Sequence, residues 1–152
     1  MTPVVAADAA AMRAFGERLG AALRAGDVVI LDGPLGAGKT TLTQGIGAGL
    51  GVRGPITSPT FVISRRHPSL VGGPALLHVD AYRVGSLAEV DDLDLDSDLA
   101  DSVLVAEWGS GKVDFLAGDA LRVVIERRDD DTRLLTMAAA GPRSQELAEA
   151  LA

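Results

Sequence analysis

An α/β fold, with a mainly parallel sheet and a C-terminal antiparallel hairpin, is predicted by three features of the sequence. Short, largely apolar runs at residues 28–31, 75–79 and 103–106 read as strands buried on both faces. A Gly-rich turn joins the first run to a segment of helical periodicity, the strand–turn–helix order that opens an α/β unit. Residues 121–126 and 133–138 flank the turn Asp129-Asp130-Asp131 and read as a hairpin.

In chain order, Asp8 suits the cap of a first helix, with Met12, Phe15, Leu19 and Leu23 at helical spacing. Arg24 and Gly26 suit its end. The strand at 28–31 lies between Asp27 and Gly33, and a helix from Lys39 to Leu50 is ended by Gly51. After the Gly54-Pro55 break, Phe61-Val62-Ile63 reads as a strand. Residues 67–74, with two glycines and two prolines, read as a loop. The runs at 75–80 and 103–107 each end in an acid, Asp80 and Glu107. Ser86-Leu87-Ala88-Glu89 is a capping box that opens a short helix toward Leu93. Residues 144–151 suit a closing helix.

Composition narrows the function. The length of 152 residues predicts one domain, residues 1–152. The net charge of −7 argues against a protein that grips nucleic acid through its own phosphate contacts, and against anionic membrane surfaces. Without cysteine there is no disulfide, thiolate zinc site or cysteine nucleophile. Two histidines, His67 and His78, do not make a histidine metal cage. No apolar run reaches the ~18 residues of a membrane span, and the first residues do not form a signal peptide. A cytoplasmic location is therefore expected. Arginine outnumbers lysine so strongly that Lys39 and Lys112 are the only lysines.

Gly33-Pro34-Leu35-Gly36-Ala37-Gly38-Lys39-Thr40 fills every fixed position of G-x-x-x-x-G-K-[ST]. The glycines let successive N–H groups converge on one concavity, a nest for phosphate oxygens. The helix that follows turns its positive end to the same anion. Lys39 has the reach for the β- and γ-phosphates, and the Thr40 hydroxyl suits a Mg²⁺ coordination position. The expected sheet is thus that of a P-loop NTPase.

Ligands gather at the carboxyl ends of parallel strands, so Asp80 and Glu107 are both candidates for the metal shell, and spacing does not choose between them. Thr57-Ser58-Pro59-Thr60 reads equally as a γ-phosphate sensor or as a polar turn. Trp108 reads as a packing residue and His78 as a satisfied structural histidine. Seven acids without a base lie between Glu89 and Asp101, a solvated face in preference to a docking edge. Tyr82 and Arg83 follow Asp80 and have the reach for the site. The guanine signature Asn/Thr-Lys-x-Asp is absent, which favours adenine.

Together the phosphate loop with Thr41, Ser58-Pro59-Thr60-Phe61, His78-Val79-Asp80-Ala81-Tyr82-Arg83 and Glu107-Trp108 resemble the TsaE family, formerly YjeE. The family's members are small bacterial ATPases of tRNA threonylcarbamoyladenosine biosynthesis. The resemblance runs from the first helix to the hairpin. It implies a phosphate-loop fold that binds ATP and Mg²⁺, with weak ATPase activity dependent on a TsaB–TsaD partner complex, so that tRNA is met only indirectly. It implies nucleotide contacts from Gly33, Leu35, Gly36, Ala37, Gly38, Lys39, Thr40 and Thr41. Metal would be held by Thr40 and Glu107, and catalysis would use Lys39, Asp80 and Glu107. The chain departs from the family pattern at Pro34, at Gly109 after Glu107-Trp108, and at Glu89-Val90-Asp91-Asp92-Leu93-Asp94. A Gly-Arg contact to ATP seen in some relatives would fall at Thr132-Arg133, without the glycine.

The function expected is an ATP-hydrolysing accessory subunit in tRNA modification. Two other readings use the same loop. One is a small-molecule kinase, whose only candidate lid is Arg65-Arg66-His67. The other is a nucleotide-dependent interaction switch.

Overall fold

Run length and polarity decide which segments become strands and where each sits in the sheet. The computed structural model describes residues 3–33, 38–54, 56, 64–80, 101–107, 119–128, 130 and 132–151. Its strands are β1 (Val4–Ala6), β2 (Val28–Asp32), β3 (Ser64–His67), β4 (Ala75–Asp80), β5 (Ser102–Glu107), β6 (Ala120–Arg127) and β7 (Arg133–Ala139). Its helices are α1 (Ala9–Ala22), α2 (Lys39–Leu50) and α3 (Pro142–Leu151). The strands form one sheet in the order β1-β7-β6-β2-β5-β4-β3.

The expectation of a mainly parallel sheet is corrected. β2 pairs in parallel with β5 and β6, and β4 with β5, but β1–β7, β6–β7 and β3–β4 are antiparallel. The parallel strands β6, β2, β5 and β4 are the centre of a mixed sheet. The two edge strands account for the difference. β1 has only three residues, too few to show periodicity. β3 reads Ser-Arg-Arg-His, and an edge strand with a solvated side needs no apolar run. His67, expected in a loop, therefore ends a strand. The expected strand at 61–63 and the capping-box helix at 86–93 lie outside the described residues.

The other elements follow the sequence closely. Asp8 caps α1 by accepting from the Ala11 N–H at 2.8 Å. Met12, Phe15 and Leu19 form its buried face. α2 ends at Gly51, whose φ of 74° is left-handed and suits glycine. β2 and β5 are buried nearly throughout, as central parallel strands are. Asp119 accepts from the Ser144 N–H (2.9 Å) and the Arg143 N–H (2.5 Å) and so caps α3. Arg143 donates to Asp27 and to the Ala22 carbonyl, which ties α3 to the turn between α1 and β2.

Alternate residues of each strand face opposite ways. Val29, Leu31, Val103, Val105 and Leu76 join Met12, Leu42 and Ile46 in one core beneath the helices. Burying one such Leu or Ile contributes ~1.5–3 kcal/mol. The seam between α1 and α2 is made by glycine. A Cβ at Gly16 would stand 2.5 Å from the Leu42 carbonyl oxygen and 2.9 Å from Gly45 Cα. One at Gly20 would stand 3.1 Å from Gly49 Cα. Both helices thus carry a Gly-x-x-x-Gly stripe, and the two backbones touch. None of the described helices is long and apolar enough to cross a membrane.

Candidate functional site

β2, β5 and β4 finish together. Leu31 pairs with Glu107, and Glu107 pairs with Asp80, so the last residues of β4 and β5 stand side by side one residue short of the end of β2. The chain leaves β2 through Asp32 and Gly33 and returns at Gly38 to start α2. The two acids and the amino end of α2 thereby come to the same edge of the sheet. This is the convergence that the carboxyl ends of parallel strands produce.

Gly38 is the cap of α2. Its φ of 103° lies in the left-handed region, where a side chain is strained. A Cβ there would also stand 3.2 Å from Met12 Cε. Gly38 has no side chain with which to cap this helix end, and no acid occupies its first turn. Lys39, Thr40 and Thr41 form that turn. Lys39 is buried, and its Nζ donates to the Gly33 carbonyl at 2.7 Å, so the ammonium reaches back to the end of β2. Thr43, one turn on, donates its hydroxyl to the Lys39 carbonyl at 2.8 Å. Gln44 links α2 outward: its Nε2 donates to the Ile56 carbonyl at 3.0 Å, and its Oε1 accepts from Arg13 at 3.2 Å.

Glu107 is 5% exposed, an expensive place for a carboxylate without a cation or donors. His78, wholly buried, turns Nε2 toward Glu107 Oε1 at 3.8 Å. Among the described residues, neither ring nitrogen of His78 has a hydrogen-bond partner. The satisfied structural histidine expected here is therefore buried but not satisfied. The sequence reading did not anticipate His78 beside Glu107, although the residue carries a signal. A histidine between Leu77 and Val79 in an otherwise apolar run is a buried polar group that has to be explained.

A cavity of about 90 Å³ opens on the other side of the loop helix. It is lined by Asp8, Ala9, Met12, Gly38, Thr41 and Arg133. These come from the start of α1, the first turn of α2 and the start of β7, so no spacing in the sequence announces it. Arg133, where the resemblance places a nucleotide contact, is one of its walls.

Of the expected site residues, the structure brings together Gly33, Gly38, Lys39, Thr40, Thr41 and Glu107, with the backbone of Asp80 beside them. Leu35, Gly36 and Ala37 lie outside the described residues, as do Thr57 to Thr60, Tyr82, Arg83, Trp108 and Lys112, and the acidic run up to Ala100. Arg65-Arg66-His67, the candidate kinase lid, is strand β3, paired with β4 from Leu76 to Val79. Arg66 is held there by Asp101 and by the Ser102 hydroxyl at 2.8 Å.

Comparison with known proteins agrees with this architecture. A protein of Streptomyces coelicolor called tRNA threonylcarbamoyladenosine biosynthesis protein TsaE is 64% identical over 122 residues, 80% of this chain and 82% of its own length. The Bacillus subtilis protein of the same name is 38% identical over 140 residues, 91% of this chain and 86% of its own. The crystal structure of Bacillus subtilis YdiB superposes with a TM-score of 0.78 at 31% identity, covering 99% of this chain and 93% of that one. The family described as threonylcarbamoyl adenosine biosynthesis protein TsaE matches residues 6–135, and the chain belongs to that family.

Proposed function

We propose that the protein is an ATP-binding, ATP-hydrolysing accessory subunit of the machinery that makes threonylcarbamoyladenosine in tRNA. The observation that carries this reading is the glycine-capped amino end of α2, with Lys39 and Thr40 in its first turn, at the edge where β4 and β5 end in Asp80 and Glu107.

The residues fit the nucleotide and its metal. A helix start leaves N–H groups without intrahelical partners, and here the cap residue is a glycine and no first-turn acid competes with a phosphate. A buried carboxylate at the same edge of the sheet suits a hard divalent cation. Thr40 and Glu107 would hold Mg²⁺, and Lys39 would leave the Gly33 carbonyl for the β- and γ-phosphates. Asp80 is the second acid of the reading. Bound Mg²⁺ supplies neutralisation of charge on the transferring phosphate. The cavity walled by Met12, Thr41 and Arg133 is the seat we assign to the base, where a guanidinium can lie over an aromatic ring.

With a net charge of −7 the chain is poorly suited to hold RNA itself. TsaB- and TsaD-like proteins would hold the tRNA in the cytoplasm, and this chain would supply nucleotide turnover. The kinase reading loses its lid, because Arg65, Arg66 and His67 are fixed in β3. The test is phosphate release from ATP with and without the TsaB–TsaD pair. Stimulation by the pair supports the proposal. Transfer of phosphate to a small acceptor would replace it with the kinase reading.

A further inference from the structure

We propose that His78 is a positioning residue for Glu107: its buried Nε2–H holds the carboxylate through Oε1 and leaves Oε2 for the metal shell of the bound nucleotide. The inference rests on the reading of Glu107 as the metal-side acid.

Burial comes first. His78 is 0% exposed in β4, with Leu77 and Val79, also buried, on either side. Its strand neighbours in register are Arg65 on β3 and Val105 on β5. An apolar residue would fill this position without cost, whereas a buried ring nitrogen without a partner bears its desolvation with nothing to offset it. Both nitrogens of His78 lack a partner among the described residues. Packing alone therefore gives no reason for a histidine.

Geometry supplies one. Nε2 stands 3.8 Å from Glu107 Oε1, and the carboxylate is buried with it. A charge-assisted N–H···O bond needs ~2.7–2.9 Å, so a side-chain shift of about 1 Å closes it. Holding one oxygen of a carboxylate fixes the direction in which the other points. Ligands of a metal are commonly held in this way by a second group behind them, and loss of that group costs about 10–100-fold in metal affinity. His67, buried on the neighbouring strand, differs in degree: its Nε2 is also without a partner, but its Nδ1 is engaged by the Arg53 carbonyl at 3.2 Å, and its strand partner is Leu76 and not a residue beside an acid.

The experiment measures Mn²⁺ bound to the full chain with a non-hydrolysable ATP analogue, by electron paramagnetic resonance, so that no turnover is needed. In His78→Gln the amide nitrogen reaches the place of Nε2. In His78→Asn it stops at the place of Nδ1, and both variants bury a polar group of the same kind. The proposal expects His78→Asn to weaken Mn²⁺ binding about tenfold or more, with His78→Gln restoring most of it and His67→Gln matching the wild type. Equal binding in all the histidine variants overturns it, as does an equal loss in His78→Gln and His78→Asn, which would show a packing role. A comparable loss in His67→Gln overturns it too. Glu107→Gln separates the two levels of the argument. If it weakens Mn²⁺ binding while His78→Asn does not, the role of His78 falls and that of Glu107 stands. If Glu107→Gln binds Mn²⁺ as the wild type does, both fall.

Discussion

Lys39 and Gly33 are joined across the loop by a 2.7 Å hydrogen bond from the ammonium to the carbonyl. The first residue of α2 thus holds the residue that follows β2. The bond gives a buried ammonium an acceptor at the amino end of α2. Lys39→Ala removes both the tie and the charge. Phosphate release from ATP should fall by about 10²–10³-fold, the ~3–4 kcal/mol typical of a preorganised electrostatic group. The thermal midpoint should change little, because the helix core at Leu42 and Ile46 is untouched. Turnover within a few-fold of the wild type would remove the loop from the mechanism.

Metal dependence tests the other half of the site. Hydrolysis should stop in EDTA and return with Mg²⁺. Thr40→Ala and Glu107→Gln should each raise the Mg²⁺ concentration needed for half-maximal rate by about tenfold or more. A rate that survives EDTA would contradict the roles given to both residues.

The glycine seam makes a prediction about stability. Alanine at Gly45 improves helix propensity by ~1 kcal/mol, but its Cβ would lie 3.0 Å from Gly16 Cα and closer still to the Arg13 carbonyl. Backbone cannot step aside as a side chain does, so overpacking of ~1–3 kcal/mol or more is the larger effect. Gly45→Ala should therefore lower the thermal midpoint, measured by circular dichroism. Ala48, exposed on the same helix, is a control position where the seam plays no part.

Acid should destabilise the fold in two ranges. Burial lowers the pKa of His67 from 6.5. The unfolded chain takes up this proton first, so stability is full above pH 6.5 and declines as the pH falls toward the folded value. The Ser144 hydroxyl, followed by the N–H groups at the start of α3, lowers the Asp119 carboxyl from 3.8. That contribution is present above pH 3.8 and is lost as the pH falls through the lower folded value. Urea midpoints should show the wild type ahead of Asp119→Ala at pH 7, with the gap closing toward pH 2. A gap independent of pH would mean that the charge of Asp119 does not contribute.

Much of this molecule is legible in its residues because local signals and tertiary need coincide. Asp8, Gly38 and Gly51 mark helix ends through backbone chemistry, and the runs into Asp80 and Glu107 are central strands because both their faces are buried. What escaped reading depends on neighbours distant in the chain. β3 is a strand because β4 offers it an edge, although nothing in Ser-Arg-Arg-His demands one. The cavity exists only once Asp8, Thr41 and Arg133 have been gathered. His78 alternates with core positions, so it passes for core until its distance from Glu107 is known.

The touching backbones of α1 and α2 also bear on how such a protein can signal. Two helices that interlock at Gly16, Gly20, Gly45 and Gly49 have no clearance for sliding or rolling past each other. They behave as a single rigid block, anchored through α3 by Arg143 and Asp27. Under the proposed reading, a nucleotide bound at the amino end of α2 would move neither helix past the other, and among the described residues α2 is linked outward through Gln44 to Ile56. A partner sensing that nucleotide would meet the two helices as one body.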